Sequence, residues 1–346
     1  MTGYQPASAD DIDQAVLPKF EPEPDLSDEA ILRSIVGIRP FREGGFRIEY
    51  KQLGDKAVIH NYGHGGAGVT LSWGSAAEVV RLAKLRAFAA KSACVIGAGV
   101  IGLTSALLLQ QTGMKVRVVS EQFTPKTTSD IAGAQWAPSL VDPGKGAERS
   151  KLFDRVQRDS FAKFRALEQS KYGISIRPNY VEGDHDTSFY KIPEGVIPPS
   201  QVLASLPFPS SPFPGRVFTT LFIQPPIFMP QLMQDCRDAS IALETMKLES
   251  GKQIQDLPED LIVNCTGFGA AKLMDDRQMV PIRGQLVIAK PKKLPWLLSH
   301  RNGYIFPRED GIVLGGTVER GVSDLTNTDE GVAKILRGNR SFFQNG

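Results

Sequence analysis

Cysteine is scarce: the 346 residues hold three, Cys94, Cys236 and Cys265, far apart and each in apolar surroundings. That spacing excludes a disulfide framework and reads as small buried side chains. Histidine is nearly as rare, with four. His60 and His64 have the spacing of two ligands on a helix, but Gly63, Gly65, Gly66 and Gly68 interrupt any such helix, so no metal site is expected. No excess of either charge exists, with 40 basic against 38 acidic side chains and a net charge of +2. No basic tract with interleaved aromatics occurs either, and a nucleic-acid partner is excluded on both counts. The longest apolar run, Ala93 to Leu109, is short for a membrane span and carries glycines spaced for a turn. The first thirty residues are acidic and punctuated by proline, unlike a signal peptide. What remains is the composition of an enzyme working in water, without membrane or nucleic acid, and long enough for two domains.

What is present is glycine in a special order. Ala93-Cys-Val-Ile-Gly-Ala-Gly-Val-Ile-Gly102 reads as a strand, a glycine turn and the start of a helix. Each glycine serves a distinct physical purpose. Gly97 permits the tight turn, Gly99 lets a pyrophosphate approach the backbone, and Gly102 lets helix and strand pack closely. The helix amino terminus, with Ala98, Val100 and Ile101 around it, offers unpaired N–H groups and a positive dipole end to phosphate. Glu121 follows Gly102 by 19 residues, at the end of a second strand, where a carboxylate can accept hydrogen bonds from a ribose. Strand, helix, strand and acid together indicate a dinucleotide site. Such a fingerprint normally opens a chain. Here about ninety residues precede it, ending in a second glycine segment, His60-Asn-Tyr-Gly-His-Gly-Gly-Ala-Gly-Val-Thr-Leu-Ser-Trp-Gly74.

Periodicity and punctuation give a coarse map. Residues 1–25 read as a loose surface segment, and a helix is expected to start at Ser27, with Asp28 and Glu29 in its first turn. Short strands are expected at Phe46 to Tyr50 and Ala57 to Asn61, and an amphipathic helix from Ser75 to Ala90 leads to the fingerprint strand. Beyond it, a helix is expected over Val100 to Gln111, a strand over Val116 to Ser120 and a helix over 151–170. Pro193 to Pro230 holds ten of the 24 prolines, which argues against long helices and central strands there. A helical pattern returns over 231–246. Leu261 to Cys265, Gln285 to Ala289, Tyr304 to Phe306 and Ile312 to Leu314 read as strands, with a final helix around Glu330 to Arg337.

The hydroxyl-rich loop Phe123-Thr-Pro-Lys-Thr-Thr-Ser-Asp-Ile-Ala-Gly-Ala-Gln-Trp-Ala-Pro138 is suited to wrap a flavin. At this point the sequence resembles the D-amino acid oxidase family of FAD-dependent enzymes. The likeness continues through Ile262-Val-Asn-Cys-Thr-Gly267, Pro281-Ile-Arg-Gly-Gln285, Gly303-Tyr-Ile-Phe-Pro307 and Leu314-Gly-Gly-Thr317. Gly37-Ile-Arg-Pro-Phe-Arg42 and the His60 to Gly74 segment complete it, but in the family they close the chain rather than open it. The resemblance therefore implies a circular permutation, with Leu82 to Ser92 bridging the family's old ends. The new ends would lie in the substrate domain, between the strand of Leu314 to Thr317 and the Gly37 to Arg42 motif.

The implied fold is α/β with an α+β substrate part: a Rossmann-like FAD-binding domain of the glutathione-reductase type, plus a mixed-sheet substrate domain. Residues 52–148 with about 228–275 are expected to form the first, and 1–51, 149–227 and 276–346 the second. By resemblance, FAD is held by the fingerprint residues Gly97 to Gly102, by Glu121, Gln122, Thr127, Thr128, Ser129, Gly133, Ala134, Gln135 and Thr266, and by Gly65, Gly66, Ala67, Gly68, Val69 and Thr70. Arg42 matches the carboxylate-binding Arg of the family motif, since only a planar guanidinium fork grips a carboxylate bidentately. Tyr304 matches the Tyr that assists it, and Gly66 offers a carbonyl to the substrate amine.

The implied reaction is oxidative deamination of a D-amino acid, by hydride transfer from the α-carbon to flavin. Its products are an imino acid hydrolysed to a 2-oxo acid, ammonia and, with dioxygen, hydrogen peroxide. Two departures point to a more open, less apolar pocket than that of mammalian members: Gln122 replaces an Arg and Ala67 a Tyr. The stretch from Ser299 to Tyr304 leaves almost no room for their active-site lid. His300 and Arg301 could draw a second acidic group, or be a solvated loop. Three other readings stay open: an oxidase of glycine, a secondary amine or a biosynthetic intermediate; a flavin-binding protein without turnover; and an NAD-dependent dehydrogenase. An intracellular protein is expected, and an ending of Gln344-Asn-Gly346 carries no peroxisomal signal. Nothing in the sequence selects between a monomer and a homodimer.

Overall fold

The computed structural model describes residues 17–87, 89–184 and 186–344. In chain order the first elements are β1 (Ile31–Arg42), β2 (Arg47–Leu53), β3 (Lys56–Tyr62), α1 (Gly68–Arg86), β4 (Ser92–Ile96), α2 (Val100–Gln110), β5 (Lys115–Ser120), α3 (Thr128–Ile131) and α4 (Ala147–Ala166). There follow β6 (Ile174–Glu182), β7 (Gln201–Leu203), β8 (Gly215–Ile223), α5 (Pro225–Asp238), β9 (Ala242–Thr245), β10 (Leu261–Asn264) and α6 (Ala270–Leu273). The last are β11 (Met279–Ala289), β12 (Leu297–His300), β13 (Gly303–Arg308), β14 (Gly311–Gly315), β15 (Glu319–Arg320) and α7 (Asp329–Phe342).

The strands form two sheets. Six make one in the order β2-β3-β10-β4-β5-β9, parallel throughout except for the antiparallel edge strand β2. Its middle strands are apolar along their length, as buried parallel strands must be when helices cover both faces. Ile59, Val95, Val118 and Val263 join Trp73, Leu103, Phe161 and Phe228 of the helices in the largest core. Helix α1 can lie close on α4 because of Gly74, where a Cβ would collide with the Val156 carbonyl. The second sheet has nine strands, in the order β1-β11-β14-β13-β12-β6-β8-β7 with β15 added on β11. It is mostly antiparallel, and Tyr180, Trp296, Leu298, Ile305 and Leu314 fill the core on its far side with α7. Among the described residues no helix is long and apolar enough to cross a membrane.

Four local expectations change. The helix expected from Ser27 is one 3-10 turn, Asp28–Ala30, and then the chain extends as β1 for 12 residues. The β-branched Ile31, Ile35, Val36 and Ile38 suit a pleated surface, and pairing with β11 from Ile31↔Ala289 to Arg42↔Met279 outweighs the capping signal. Helix α1 starts at Gly68 rather than near Ser75, so the glycine segment itself turns into helix. The proline-rich stretch does hold a well-buried inner strand, β8, because residues 215–223 fall between Pro214 and Pro225 and contain none. The helical pattern placed over 231–246 splits into α5 and the strand β9, with Ser240 at positive φ between them.

Candidate active site

Strands β3, β10, β4 and β5 run parallel and end at one edge of their sheet. Each ends in a sharp turn: Gly63 to Gly66 after β3, Thr266 and Gly267 after β10, Gly97 to Gly99 after β4, and Glu121 and Gln122 after β5. The carboxyl ends of parallel strands are where α/β sheets bind ligands. Here the turns open on a cavity of about 790 Å³ whose opposite wall is the nine-stranded sheet. Gly65, Gly66, Gly68, Val69, Thr70, Gly97, Ala98, Gly99, Val100, Ile101, Glu121, Gln122, Thr127, Thr128, Ser129, Gly133, Ala134, Gln135, Thr266 and Tyr304 all lie on its wall. The two glycine segments, Gly65 to Gly68 and Gly97 to Gly99, thus face one space.

The cradle has the shape a dinucleotide requires. Gly97 sits at φ 107°, where L side chains rarely go, and a Cβ on it would run into the Cys265 carbonyl. A Cβ on Gly102 would collide with the Gly97 carbonyl, so α2 can start against the turn only with glycine there. Beside Gly99 the nearest heavy atom to a Cβ is Ser129 Oγ at 3.2 Å, which leaves backbone open to the cavity. The first N–H groups of α2 have no intrahelical partner, and that of Val100 donates to Ser129 Oγ at 3.0 Å. Gly65, at φ 57°, could carry no Cβ beside the Leu140 carbonyl, and the Gly66 N–H donates to that same oxygen at 3.1 Å. Thr127 and Asp130 close a capping box at the start of α3. Thr266 turns on Asn264, donating from both N–H and hydroxyl to its Oδ1 at 3.2 and 2.8 Å. Glu121, exposed at the cavity rim, pairs with Lys247 at 3.2 Å. Strand ends turned by glycines that admit no side chain, a helix amino terminus over Gly99 and a hydroxyl-bearing loop together fit FAD.

The opposite wall explains how a small substrate could be gripped. On β1, Ile35, Gly37 and Arg39 alternate onto the face that also carries Gly284 and Leu286 of β11. Arg39 leans from β1 across β11, its guanidinium lying where a Cβ on Gly284 would be, and Nη1 donates to the Thr317 carbonyl at 3.2 Å. From the other side Tyr304 of β13 leans across β14, its ring occupying the space over Gly315. Because β11 and β14 are neighbours, the two side chains approach each other over a floor of two glycines. The Tyr304 ring is held by stacking on Phe306, with ring centres 4.5 Å apart.

Arg42 is a correction. Three residues beyond Arg39 on a strand, it falls on the other face and does not line the cavity. Its Nε donates to Asp276 Oδ2 at 2.9 Å, Nη1 to the Gly45 carbonyl at 2.8 Å, and Nη2 to Gln278 Oε1. The Tyr62 hydroxyl donates to the same Asp276 oxygen at 2.7 Å. Burial raises the Asp276 pKa, but the bonds from Arg42 and Tyr62 outweigh it and leave the carboxyl below its usual range. Arg42 ties β1 to the loop before β11. Two further residues leave the wall: Ala67 is fully buried against Phe46 and Leu71, and Gly102 acts through packing alone.

His60 and His64 offer no base near neutrality at this site. Burial, then the Arg149 charge, lowers His64 to about 3, and burial, then Arg47, does the same to His60. His64 lines the cavity with Nε2 facing Ser75 Oγ at 3.0 Å. Sequence reasoning missed Arg39, Ser299 and the glycine floor. Strand parity separates Arg39 from Arg42, but no strand was expected over Gly37 to Arg42.

The model of the family described as FAD dependent oxidoreductase matches residues 3–82 and 92–345. Human D-aspartate oxidase is 26% identical over 258 residues, covering 70% of this chain and 73% of that protein. D-amino-acid oxidase of Rubrobacter xylanophilus is 29% identical over 244 residues, covering 66% and 70%. Among solved structures, iminodiacetate oxidase from Chelativorans superposes with a TM-score of 0.54 at 19% identity, over 73% of this chain and 79% of that one, which supports the fold. With a glycine cradle that fits the cofactor and a family match over nearly the whole length, the chain belongs to the FAD-dependent oxidoreductases, and FAD is its cofactor.

Proposed function

We propose that the chain is an oxidase of D-amino acids: the α-carbon loses a hydride and the amine a proton, and the imino acid is hydrolysed to a 2-oxo acid and ammonia. Bound FAD supplies the hydride acceptor, and dioxygen, as final oxidant, leaves as hydrogen peroxide. The observation that carries this reading is the Arg39–Tyr304 pair on the wall opposite the glycine cradle. Arg39 would hold the carboxylate through a bidentate fork. Tyr304 would donate to the same carboxylate, and the Gly66 carbonyl would accept from the amine. These three contacts fix a carbon between them, so catalysis is chiefly orientation. The curated relatives, both oxidases of D-configured acids, support the same class.

The chain order enters the same proposal. The family match breaks between 82 and 92, and there α1 passes through a short link into β4. That link is where a rotated family order would join its old ends, and such joins succeed when the ends lie close. The test of function is anaerobic mixing of the yellow protein with D-amino acids, their L-enantiomers, glycine and secondary amines. Bleaching by D-amino acids is expected; bleaching by secondary amines alone would replace this reading.

A further inference from the structure

What a substrate side chain would meet is set by the strands beyond Tyr304. Tyr304 pairs with Ser299 of β12, and Leu297, two residues back, pairs with Asn179 of β6. Alternation puts Ser299 and Asn179 on the face that carries Tyr304. That face is therefore glycine and aliphatic beneath Arg39, and hydroxyl and carboxamide one or two strand spacings of about 5 Å further on.

Gln135 completes the polar end. Its backbone is clipped to β8 on both sides: the Trp136 N–H donates to the Leu221 carbonyl at 2.7 Å, and the Ile223 N–H to the Ala134 carbonyl at 3.0 Å. Ala134 is held at φ 64°, a conformation that disfavours any residue with a Cβ and that persists only where surroundings impose it. Asn179, fully buried, donates from Nδ2 to Gln135 Oε1 at 2.6 Å. With Oε1 fixed, the Nε2 end of the Gln135 amide is what remains for the cavity that Gln135 lines. Asn179 Oδ1 is buried with no hydrogen-bond partner among the described residues, so this amide pair holds unused capacity beside the cavity. Ser299 lines the same cavity.

Charge separates one polar side chain from another. The His300 ring is engaged within its own loop and α7: the Asn302 N–H donates to Nδ1 at 3.4 Å and Nε2 faces Asn339 Oδ1 at 3.0 Å. Arg301 is exposed and lies off the cavity wall, so this loop brings no guanidinium to a second acidic group. The lysine that lines the cavity, Lys126, stands three residues before Ser129, at the α2 end.

Resting on the D-amino acid reading, we propose that Gln135, fixed by Asn179, forms with Ser299 a side-chain pocket. It selects D-amino acids bearing a neutral carboxamide or hydroxyl over apolar isosteres and over acids. An apolar side chain there would strip water from Gln135 Nε2 without replacing it, the kind of mismatch that polar sites discriminate strongly. The experiment compares anaerobic flavin reduction in the holoenzyme by D-asparagine, its near-isostere D-leucine, and D-aspartate. D-Asparagine is expected to have at least about ten-fold higher kcat/KM than either. In Gln135→Leu, D-leucine should gain and D-asparagine lose, closing that gap. Equal or faster reduction by D-leucine or D-aspartate in the wild type, or an unchanged ratio in Gln135→Leu, would overturn the pocket while leaving the parent reading intact. No reduction by any D-amino acid would overturn both.

Discussion

Arg39 and Arg42, three residues apart on one strand, should fail in opposite ways when truncated. On the proposed function, Arg39→Ala removes a fork that would make two charge-assisted hydrogen bonds to a carboxylate, each contributing about 1.5–3 kcal/mol. The loss of about 3–5 kcal/mol corresponds to a fall of roughly 10²- to 10³-fold or more in kcat/KM. Stability should barely move, because the guanidinium's one described protein bond is to the Thr317 carbonyl. Flavin should stay, since the cradle is on the other sheet. Arg42→Ala instead leaves Asp276, whose side chain is 6% exposed, without its nearest cation. Breaking a buried pair costs about 3–5 kcal/mol. The Tyr62 hydroxyl and the Gln278 N–H still reach Asp276, at 2.7 and 3.1 Å, so about 1–3 kcal/mol is expected here. The assay is stopped-flow reduction under anaerobic conditions beside urea unfolding of the same holoproteins. If Arg39→Ala kept kcat/KM within about three-fold of the wild type, the cavity-face argument would be wrong.

Other perturbations follow from the same contacts. Gly315→Ala drives a methyl into the Tyr304 ring, and steady-state kinetics should show KM for the amino acid rising about ten-fold or more with FAD affinity unchanged. Gly102→Val pushes α2 off the Gly97 carbonyl, so the protein should purify colourless, and full flavin occupancy would refute the cradle. Arg283 holds Glu319 at 2.6 Å and Asp324 at 2.7 Å, and Glu319 accepts from Thr317, whose carbonyl accepts from Arg39. Arg283→Gln should therefore raise KM more than it lowers kcat, and a pure kcat effect would argue against that relay. Both His60 and His64 stay neutral when folded, with values near 3 against 6.5 when free. Their stabilisation is complete above about pH 6.5 and is lost as the pH falls toward 3, by up to about 1.4 kcal/mol per pH unit for each. Urea unfolding at pH 7 and 5 should show that loss, and equal stability at both would contradict it.

Much of the flavin side was legible because its glycines carry backbone demands. Gly97 at φ 107° and Gly102 against a carbonyl can be nothing else, so the fingerprint can be read without neighbours. The substrate side was less so. Whether Arg39 or Arg42 faces the cavity depends on β1 being a strand, and that depends on its pairing partner some 250 residues away. Ser27, Asp28 and Glu29 gave a sound local helix signal, which long-range pairing overrode after one turn. Gly284 and Gly315 fell one residue outside the expected strands Gln285 to Ala289 and Ile312 to Leu314, and only the crossing of Arg39 and Tyr304 above them makes the missing side chain matter. Gln135 was grouped with the flavin loop by position, whereas its bond to Asn179 ties it to the other sheet. The proline count misled for a simpler reason: prolines bracket β8 rather than interrupt it.

The central claim is that Arg39 and Tyr304 seat an amino acid's carboxylate against FAD held by glycines from both segments. Its most direct test is a crystal structure of the reduced holoenzyme soaked with the 2-oxo acid of its best D-amino acid. The account predicts that the carboxylate lies within hydrogen-bonding distance of the Arg39 guanidinium and the Tyr304 hydroxyl, with the flavin between Gly66 and Gly99. A carboxylate held by Arg42, or a flavin that leaves Gly65 and Gly66 out of contact, would contradict it.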